Sequence, residues 1–310
     1  MSLLTRKTVV LAKVETTYGT DAAPAGASNA MLVSNVTLTP LVNDMAQRNY
    51  VRPFLGTLQE LVAASRATLD FEVEIAGSGA AGTAPAWGAI LRACGFSETL
   101  SAGVSAVYAP VSDSFDSVTI YTFIDGVKHA LLGARGTVDF TFKDKTVPTL
   151  KIKMTGLYAQ PADLANPAIT LTSWQTPLAM NNANTSGFSL HGYAGVLSDL
   201  TVTMANNVQH LNLVGAEEVR ITDRKPTGTI TIEAVHMAQM DYFTRANTAA
   251  LGALTLAHGT VAGNKVLISL PNVQLTKPTY ADLNGVRMLT MSLIPTASSA
   301  GNDEITITAQ

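Results

Sequence analysis

Ala67-Thr68-Leu69-Asp70-Phe71-Glu72-Val73-Glu74-Ile75 is the stretch whose reading decides the fold. Apolar and polar residues alternate without a break. In an extended strand Leu69, Phe71, Val73 and Ile75 therefore point to one side and Asp70, Glu72 and Glu74 to the other. A strand with one apolar and one wet face belongs to an antiparallel sheet packed on a second layer. The same pattern returns in Gly228-Thr229-Ile230-Thr231-Ile232-Glu233-Ala234, roughly one domain length further on. A second echo lies upstream of each copy, Ser34-Asn35-Val36-Thr37-Leu38-Thr39 against Ser198-Asp199-Leu200-Thr201-Val202-Thr203. Each copy is followed by a helical pattern, around Trp87-Gly88-Ala89-Ile90-Leu91-Arg92-Ala93 and around Met240-Asp241-Tyr242-Phe243-Thr244-Arg245.

Working outward, the order strand, loop, strand, helix, strand, strand is shared by both halves. The fold class expected is mainly β: two β-sandwich-like domains in tandem, each with one flanking α-helix. Residues 1–157 form the first, 158–187 a linker poor in pattern, and 188–310 the second. Asp125-Gly126 between two apolar runs signals a type I′ hairpin. Pro85 and Gly95 bracket the first helix, and residues 239–250 form the second. Residues 16–27 lack periodicity and read as an extended arm or loop. Residues 42–66 read as a long loop carrying Arg48, Tyr50, Val51, Arg52, Phe54 and Leu55, and a structureless stretch of that length is usually functional. Its counterpart, residues 205–226, is shorter.

Charged residues make up 14% of the 310, against about 25% in an average soluble domain. Hydrophobic residues reach 47%, yet no apolar run is long enough to cross a bilayer. A chain this poor in charge is expected to bury part of its surface against partners. The net charge of −3 comes without any cluster of Lys and Arg, which excludes a dedicated nucleic-acid binder. Cys94 stands alone, so no intrachain disulfide forms and folding in a reducing cytoplasm is expected. It lies on an apolar helical stretch and reads as a small core residue. The opening Met-Ser-Leu-Leu-Thr-Arg-Lys lacks the pattern of a secretory signal.

Motifs for chemistry are few. Gly77-Ser78-Gly79-Ala80-Ala81-Gly82 matches G-x-G-x-x-G between a strand and a helix. The strand before it carries three acids on one face, whereas a dinucleotide-binding strand is buried on both faces. The surroundings are hairpin-rich, with no chain of βαβ units. A flexible strand–helix connection is the better reading, and no cofactor is expected. His129, His191, His210, His236 and His258 are scattered without metal-ligand spacing, so no metal is expected either. Gly187-Phe188-Ser189-Leu190-His191 lacks the closing glycine of a nucleophile elbow. An enzyme is disfavoured. Asp70, Glu72 and Glu74 repel one another and need solvent or counterions. They form either a plain solvated sheet face or the wall of a water-filled passage, and the residues alone do not choose.

The sequence resembles the tail tube (major tail) proteins of long-tailed, non-contractile bacteriophages. The resemblance is carried by Lys13-Val14-Glu15-Thr16-Thr17-Tyr18-Gly19-Thr20-Asp21-Ala22-Ala23-Pro24, by Val36-Thr37-Leu38-Thr39-Pro40 and by Phe71-Glu72-Val73-Glu74-Ile75-Ala76-Gly77-Ser78-Gly79. Ala84-Pro85-Ala86-Trp87-Gly88-Ala89-Ile90-Leu91-Arg92-Ala93-Cys94-Gly95-Phe96 and Asp125-Gly126-Val127-Lys128-His129 continue it. It implies stacked rings forming a tube in the virion, assembled in the host cytoplasm. The lumen of such a tube holds the tape measure protein and then passes DNA without binding it specifically. Tail terminator and distal tail proteins are the implied partners at the ends. On this reading Asp70, Glu72, Glu74, Thr229, Thr231 and Glu233 line the lumen, and Arg48, Tyr50, Val51, Arg52, Phe54 and Leu55 contact the neighbouring ring. The usual family member carries one domain and forms hexamers. Two domains per chain suggest homotrimeric rings with pseudo-sixfold symmetry, the hexamer being the alternative. The tube of a contractile tail and a non-viral surface or pilus-like assembly protein remain alternatives.

Overall fold

The alternating stretch forms the second part of a 14-residue strand, and its register is as read: Leu69, Phe71, Val73 and Ile75 are buried while Asp70 is exposed. The structure, a computed structural model, describes residues 3–310. Its first part runs through β1 (Thr8–Val14), α1 (Gly26–Asn29), β2 (Ala30–Met31), β3 (Ser34–Ala46), β4 (Leu61–Glu74) and α2 (Gly88–Ala93). It continues with β5 (Phe96–Ser101), β6 (Ser105–Pro110), β7 (Val118–Ile124), β8 (Val127–Lys143) and β9 (Thr149–Tyr158). After β10 (Ala162–Asp163) come β11 (Thr185–Leu190), β12 (Leu197–Thr203), β13 (Asn206–Leu213), β14 (Ala216–Arg224) and β15 (Thr227–Glu233). The chain ends with α3 (Tyr242–Asn247), β16 (Leu251–His258), β17 (Val266–Leu283), β18 (Val286–Pro295) and β19 (Thr306–Ala309).

Two long strands organise everything else. β8 gives its first part to β7 and its last part, Asp139–Lys143, to β12, both along one edge, while β9 takes the other edge. β17 likewise pairs first with β16 and β19 and then with β18. Each strand changes layer at a bulge beside a residue with positive φ, Gly133 in β8 and Lys277 in β17, where the extra twist bends the strand. The result is one antiparallel inner sheet ordered β3-β4-β9-β8-β12-β15-β18-β17. Outer layers are built from β2-β1-β7-β8 and from β11-β16-β17-β19-β6-β5. The fold is mainly β and sandwich-like, as the alternation predicts.

Between the layers lie Phe71, Phe140, Phe142, Ile152, Leu200, Ile230, Met291 and Leu293, all fully buried. They belong to one apolar cluster that runs through both halves of the chain. β19 adds to this union, pairing on one side with β17 and on the other with β6 of the first half. Helix α2 lays Ile90, Leu91, Ala93 and Cys94 on the core, and the buried Trp87 indole donates to the Ala76 carbonyl at 2.8 Å. Asp125 and Gly126 both have positive φ, as a type I′ turn requires. Helix α3 is shorter than the expected 239–250. The Asp241 carboxylate caps it by accepting from the Thr244 amide at 2.9 Å, so the residues before Asp241 stay outside.

Residues 158–187, expected as a linker, are held by hydrogen bonds to both halves. Thr170 donates its amide to the Gly26 carbonyl at 3.0 Å, and the Trp174 indole donates to the Ala30 carbonyl at 2.9 Å. His258 Nε2 donates to the Leu178 carbonyl at 3.0 Å, so its Nδ1 accepts from the Thr185 hydroxyl. Burial holds this imidazole below its ordinary pKa, which keeps it neutral and the tautomer fixed.

Candidate assembly surfaces

Both sets of residues proposed for the lumen lie on one face of the inner sheet. Cross-strand partners link them: Asp70 faces Lys153, Lys153 faces Thr137, Thr141 faces Thr201 and Thr201 faces Thr229. The face is rich in threonine, with Thr231 and Thr290 hydroxyls sharing a hydrogen bond at 3.0 Å. Its carboxylates are not alone. Asp70 stands opposite Lys153, and Glu72 pairs with Lys151 at 3.6 Å. Sequence reasoning missed these lysines because cross-strand register is non-local. The alternation in Lys151-Ile152-Lys153 was the available signal. Asp139, Asp199 and Lys143 share the face, leaving a small excess of carboxylate.

Residues 42–66 are not structureless. β3 and β4 continue as a paired ladder out to Ala46 and Leu61, and only residues 47–60 form a loop at the tip. Arg66 and Asp44 form an ion pair at 2.7 Å across this projecting arm. At the tip, Arg48 lies over the Tyr50 ring at 5.7 Å and Arg52 over the Phe54 ring at 4.9 Å. Arg52 also donates to the Gly56 and Thr57 carbonyls, each at 2.7 Å. The expected contact residues are thus brought together, and Tyr50, Val51, Phe54 and Leu55 are all strongly exposed.

The second loop, residues 205–226, is also a hairpin, β13–β14, but it is folded down onto the first half. Asn206 donates its side-chain amide to the Cys94 carbonyl at 2.7 Å and to the Gly136 carbonyl at 3.0 Å. Arg224, largely buried, pairs with Glu304 and donates to the Val111 carbonyl. Val219 donates its amide to the Tyr18 hydroxyl, and its carbonyl accepts from Arg135 at 2.9 Å. Arg135 lies 4.8 Å over the Tyr18 ring and donates as well to the Phe115 and Asp116 carbonyls.

The segment 16–27 is likewise not an extended arm; side chains tie it to its own half. The buried Glu15 carboxylate accepts from the hydroxyls of Ser117 and Thr119 at 2.6 and 2.8 Å. It accepts also from the amides of Gly19 and Gly133, at 2.8 and 2.7 Å. Tyr121 donates its hydroxyl to Asp21, and Ala22 donates its amide to Thr119 at 3.0 Å. Within the Glu15-to-Asp21 part of the resemblance, Tyr18 is the residue that meets β13–β14.

The glycine motif is a joint between the halves. A Cβ on Gly77 would run into the Gly263 carbonyl, and one on Gly82 into the Ser101 carbonyl. Gly79 donates its amide to Gly263 at 2.8 Å. These glycines are needed for close backbone approach, so the connection expected to be flexible is packed against neighbouring backbone. The Cys94 thiol is fully buried, and burial pushes its pKa well above the usual thiol range. Among the described residues, no group of three or more His, Cys, Asp or Glu side chains is arranged to hold a metal ion, and no helix is long and apolar enough to cross a membrane.

No curated protein matches the chain. A family model described as phage tail tube protein matches residues 5–310, nearly the whole length. The chain belongs to that family and is a structural component of the phage virion, one that assembles with copies of itself into a tube.

Proposed function

We propose that three copies of this chain close each ring of the tube, every copy supplying two similar four-stranded units. The inner sheet is the observation that carries this reading. It consists of β3-β4-β9-β8 followed by β12-β15-β18-β17, with helix α2 or α3 placed alike after β4 or β15. Inside the chain the two units join where β12 pairs with the edge of β8. At the ends of the sheet, among the described residues, β3 is paired only with β4, and β17 beyond Gln274 only with β18. Bare edges of this kind invite pairing with another chain. A copy that sets its β3 on the neighbour's β17 repeats the internal junction and leaves no edge once the ring closes.

Surface area supports the same reading. The chain exposes 15405 Å², whereas a compact monomer of its mass exposes about 12,000 Å². Native mass spectrometry and averaged electron micrographs of the purified protein test the ring size. Three chains per ring are expected; true sixfold repeats of whole chains would overturn the trimer in favour of the hexamer.

The polar face of the inner sheet lines the lumen on this reading, with Asp70, Glu72, Glu74, Thr229, Thr231 and Glu233 turned to it. It encloses the tape measure protein during assembly in the host cytoplasm and passes DNA at ejection, in a tail that does not contract. Terminator and distal tail proteins meet the two ends. Threonine hydroxyls wet the wall, and the excess carboxylate repels phosphate over a Debye length of about 10 Å. Replacing Asp70, Glu72 and Glu74 together by Lys is expected to leave tubes intact, because the like-charge pairs it sets opposite Lys151 and Lys153 lie on a wet face and cost only about 0.2–1 kcal/mol each. DNA ejection, followed as release from isolated virions, should slow. Unchanged ejection would count against the lumen assignment. The tip of the β3–β4 hairpin, Arg48 to Leu55, reaches the neighbouring ring.

A further inference from the structure

We infer that the base of the β3–β4 hairpin docks sideways, on the outer end of β17 and helix α3 in the next copy of the same ring. The inference rests on the ring reading and assigns its second contact. The template is inside the chain. Where β8 passes from β7 to β12, its edge from Arg135 to Val138 has no strand partner. Hairpin β13–β14 covers that gap: Met204 donates its amide to the Val138 carbonyl, Asn206 donates to Thr137 and Gly136, and Arg135 holds Val219. Val219 is fully buried there, and Ile221 lies beside Gly95 at the end of α2.

β17 presents the same gap uncovered. It leaves β16 at Gln274, bends at Lys277, and runs bare on that edge to Leu283. Beside it ends α3, followed by Ala249 with positive φ where α2 is followed by Gly95. Tyr280 sits in this gap with its ring 5.6 Å from Phe243 of α3, yet it is 56% exposed, and Leu251 and Leu283 are exposed with it. Arg287 lies 5.9 Å over the Tyr280 ring, and among the described residues no strand pairs with this edge.

The hairpin that has no dock of its own is β3–β4. Its paired base exposes Leu41, Met45, Leu61 and Val62, in the part of the hairpin where β14 buries Val219. Setting β3 on the bare β17 edge brings this base onto the Tyr280 gap, as setting β12 on β8 brings β13–β14 onto Arg135. The two junctions then differ in chemistry. The internal one is anchored by arginines and carbonyls, and the one between copies by apolar contact.

A photo-crosslinking phenylalanine analogue in place of Tyr280, in the full-length chain, tests this. Irradiation of assembled protein should give covalent dimers and trimers and nothing larger, with the attached peptides falling in residues 41–46 or 61–66. Species beyond the trimer place the contact between rings and overturn the inference, as do crosslinks to any other segment. Hydrogen exchange on the unaltered protein gives a second readout. Amides of residues 61–66 and 279–283 should slow by about tenfold or more when rings form. Rings that form without that protection sink the sideways dock and leave the tube reading standing. Failure of the unaltered protein to form any ring would remove the tube reading and this dock together.

Discussion

Replacing Tyr50 and Phe54 together by Ser leaves a folded, soluble subunit that no longer polymerises into tubes. Both aromatics belong to the hairpin tip, 71% and 63% exposed, so neither contributes to the chain's own core. The tip is shaped in advance by Arg48 over Tyr50, Arg52 over Phe54 and the two carbonyls that Arg52 holds. Preshaping lowers the entropy lost on contact, and aromatic and arginine side chains are the usual anchors of an interface. Burying one such ring contributes about 1.5–3 kcal/mol. Every copy makes the contact at every ring boundary, so the loss repeats along the tube. Circular dichroism and thermal melting should match the unaltered subunit within about 0.5 kcal/mol, as for surface changes generally. Tubes of normal length in electron micrographs would show that the tip is not the bridge. The segment 16–27, expected as an extended arm or loop, does not replace it, because Glu15 and Asp21 hold it to its own half and Tyr18 holds it to β14.

What was legible in the sequence depended on half-burial. The stretch from Leu69 to Ile75 has a core on one side and water on the other, so its alternation announces a strand. The projecting parts of β3 and β4 are exposed on both faces, and β13–β14 is nearly so, which removes the period that marks a strand. Both hairpins were therefore read as loops. The segment after β1 escaped for a different reason: it is fixed by carboxylate and hydroxyl hydrogen bonds, which follow no period. The glycine motif was ambiguous by its chemistry. A missing Cβ serves a phosphate or another backbone equally, and only the fold brings Gly263 against Gly77. For the lumen residues, the sequence placed the acids on a wet face, but the pairing of β4 with β9 that supplies Lys151 and Lys153 is a long-range fact.

Glu15→Ala is expected to be the most damaging single change to the fold. The carboxylate is 7% exposed and takes four donors, two on each oxygen: Thr119 and Gly133 on Oε1, Ser117 and Gly19 on Oε2. Removing it leaves the amides of Gly19 and Gly133 without acceptors in a closed site and opens a void beside them. Uncompensated buried groups of this kind cost about 3–5 kcal/mol when a charged partner is deleted. Glu15→Gln keeps the volume but turns one accepting oxygen into a donor that faces two donors, and about 2 kcal/mol is expected. The damage should not stay local. Gly133 is the bulge at which β8 changes layer, and a Cβ there would lie 2.6 Å from the Tyr18 ring, so Glu15 sets the bulge against the very side chain that holds Val219. Urea titration measures the stability loss, and hydrogen exchange over residues 216–224 measures its spread, since β14 should open more readily once Tyr18 is loosened. If Glu15→Ala unfolds within 1 kcal/mol of the unaltered chain, the network is ornamental and the dock of β13–β14 rests on Arg135, Asn206 and Arg224.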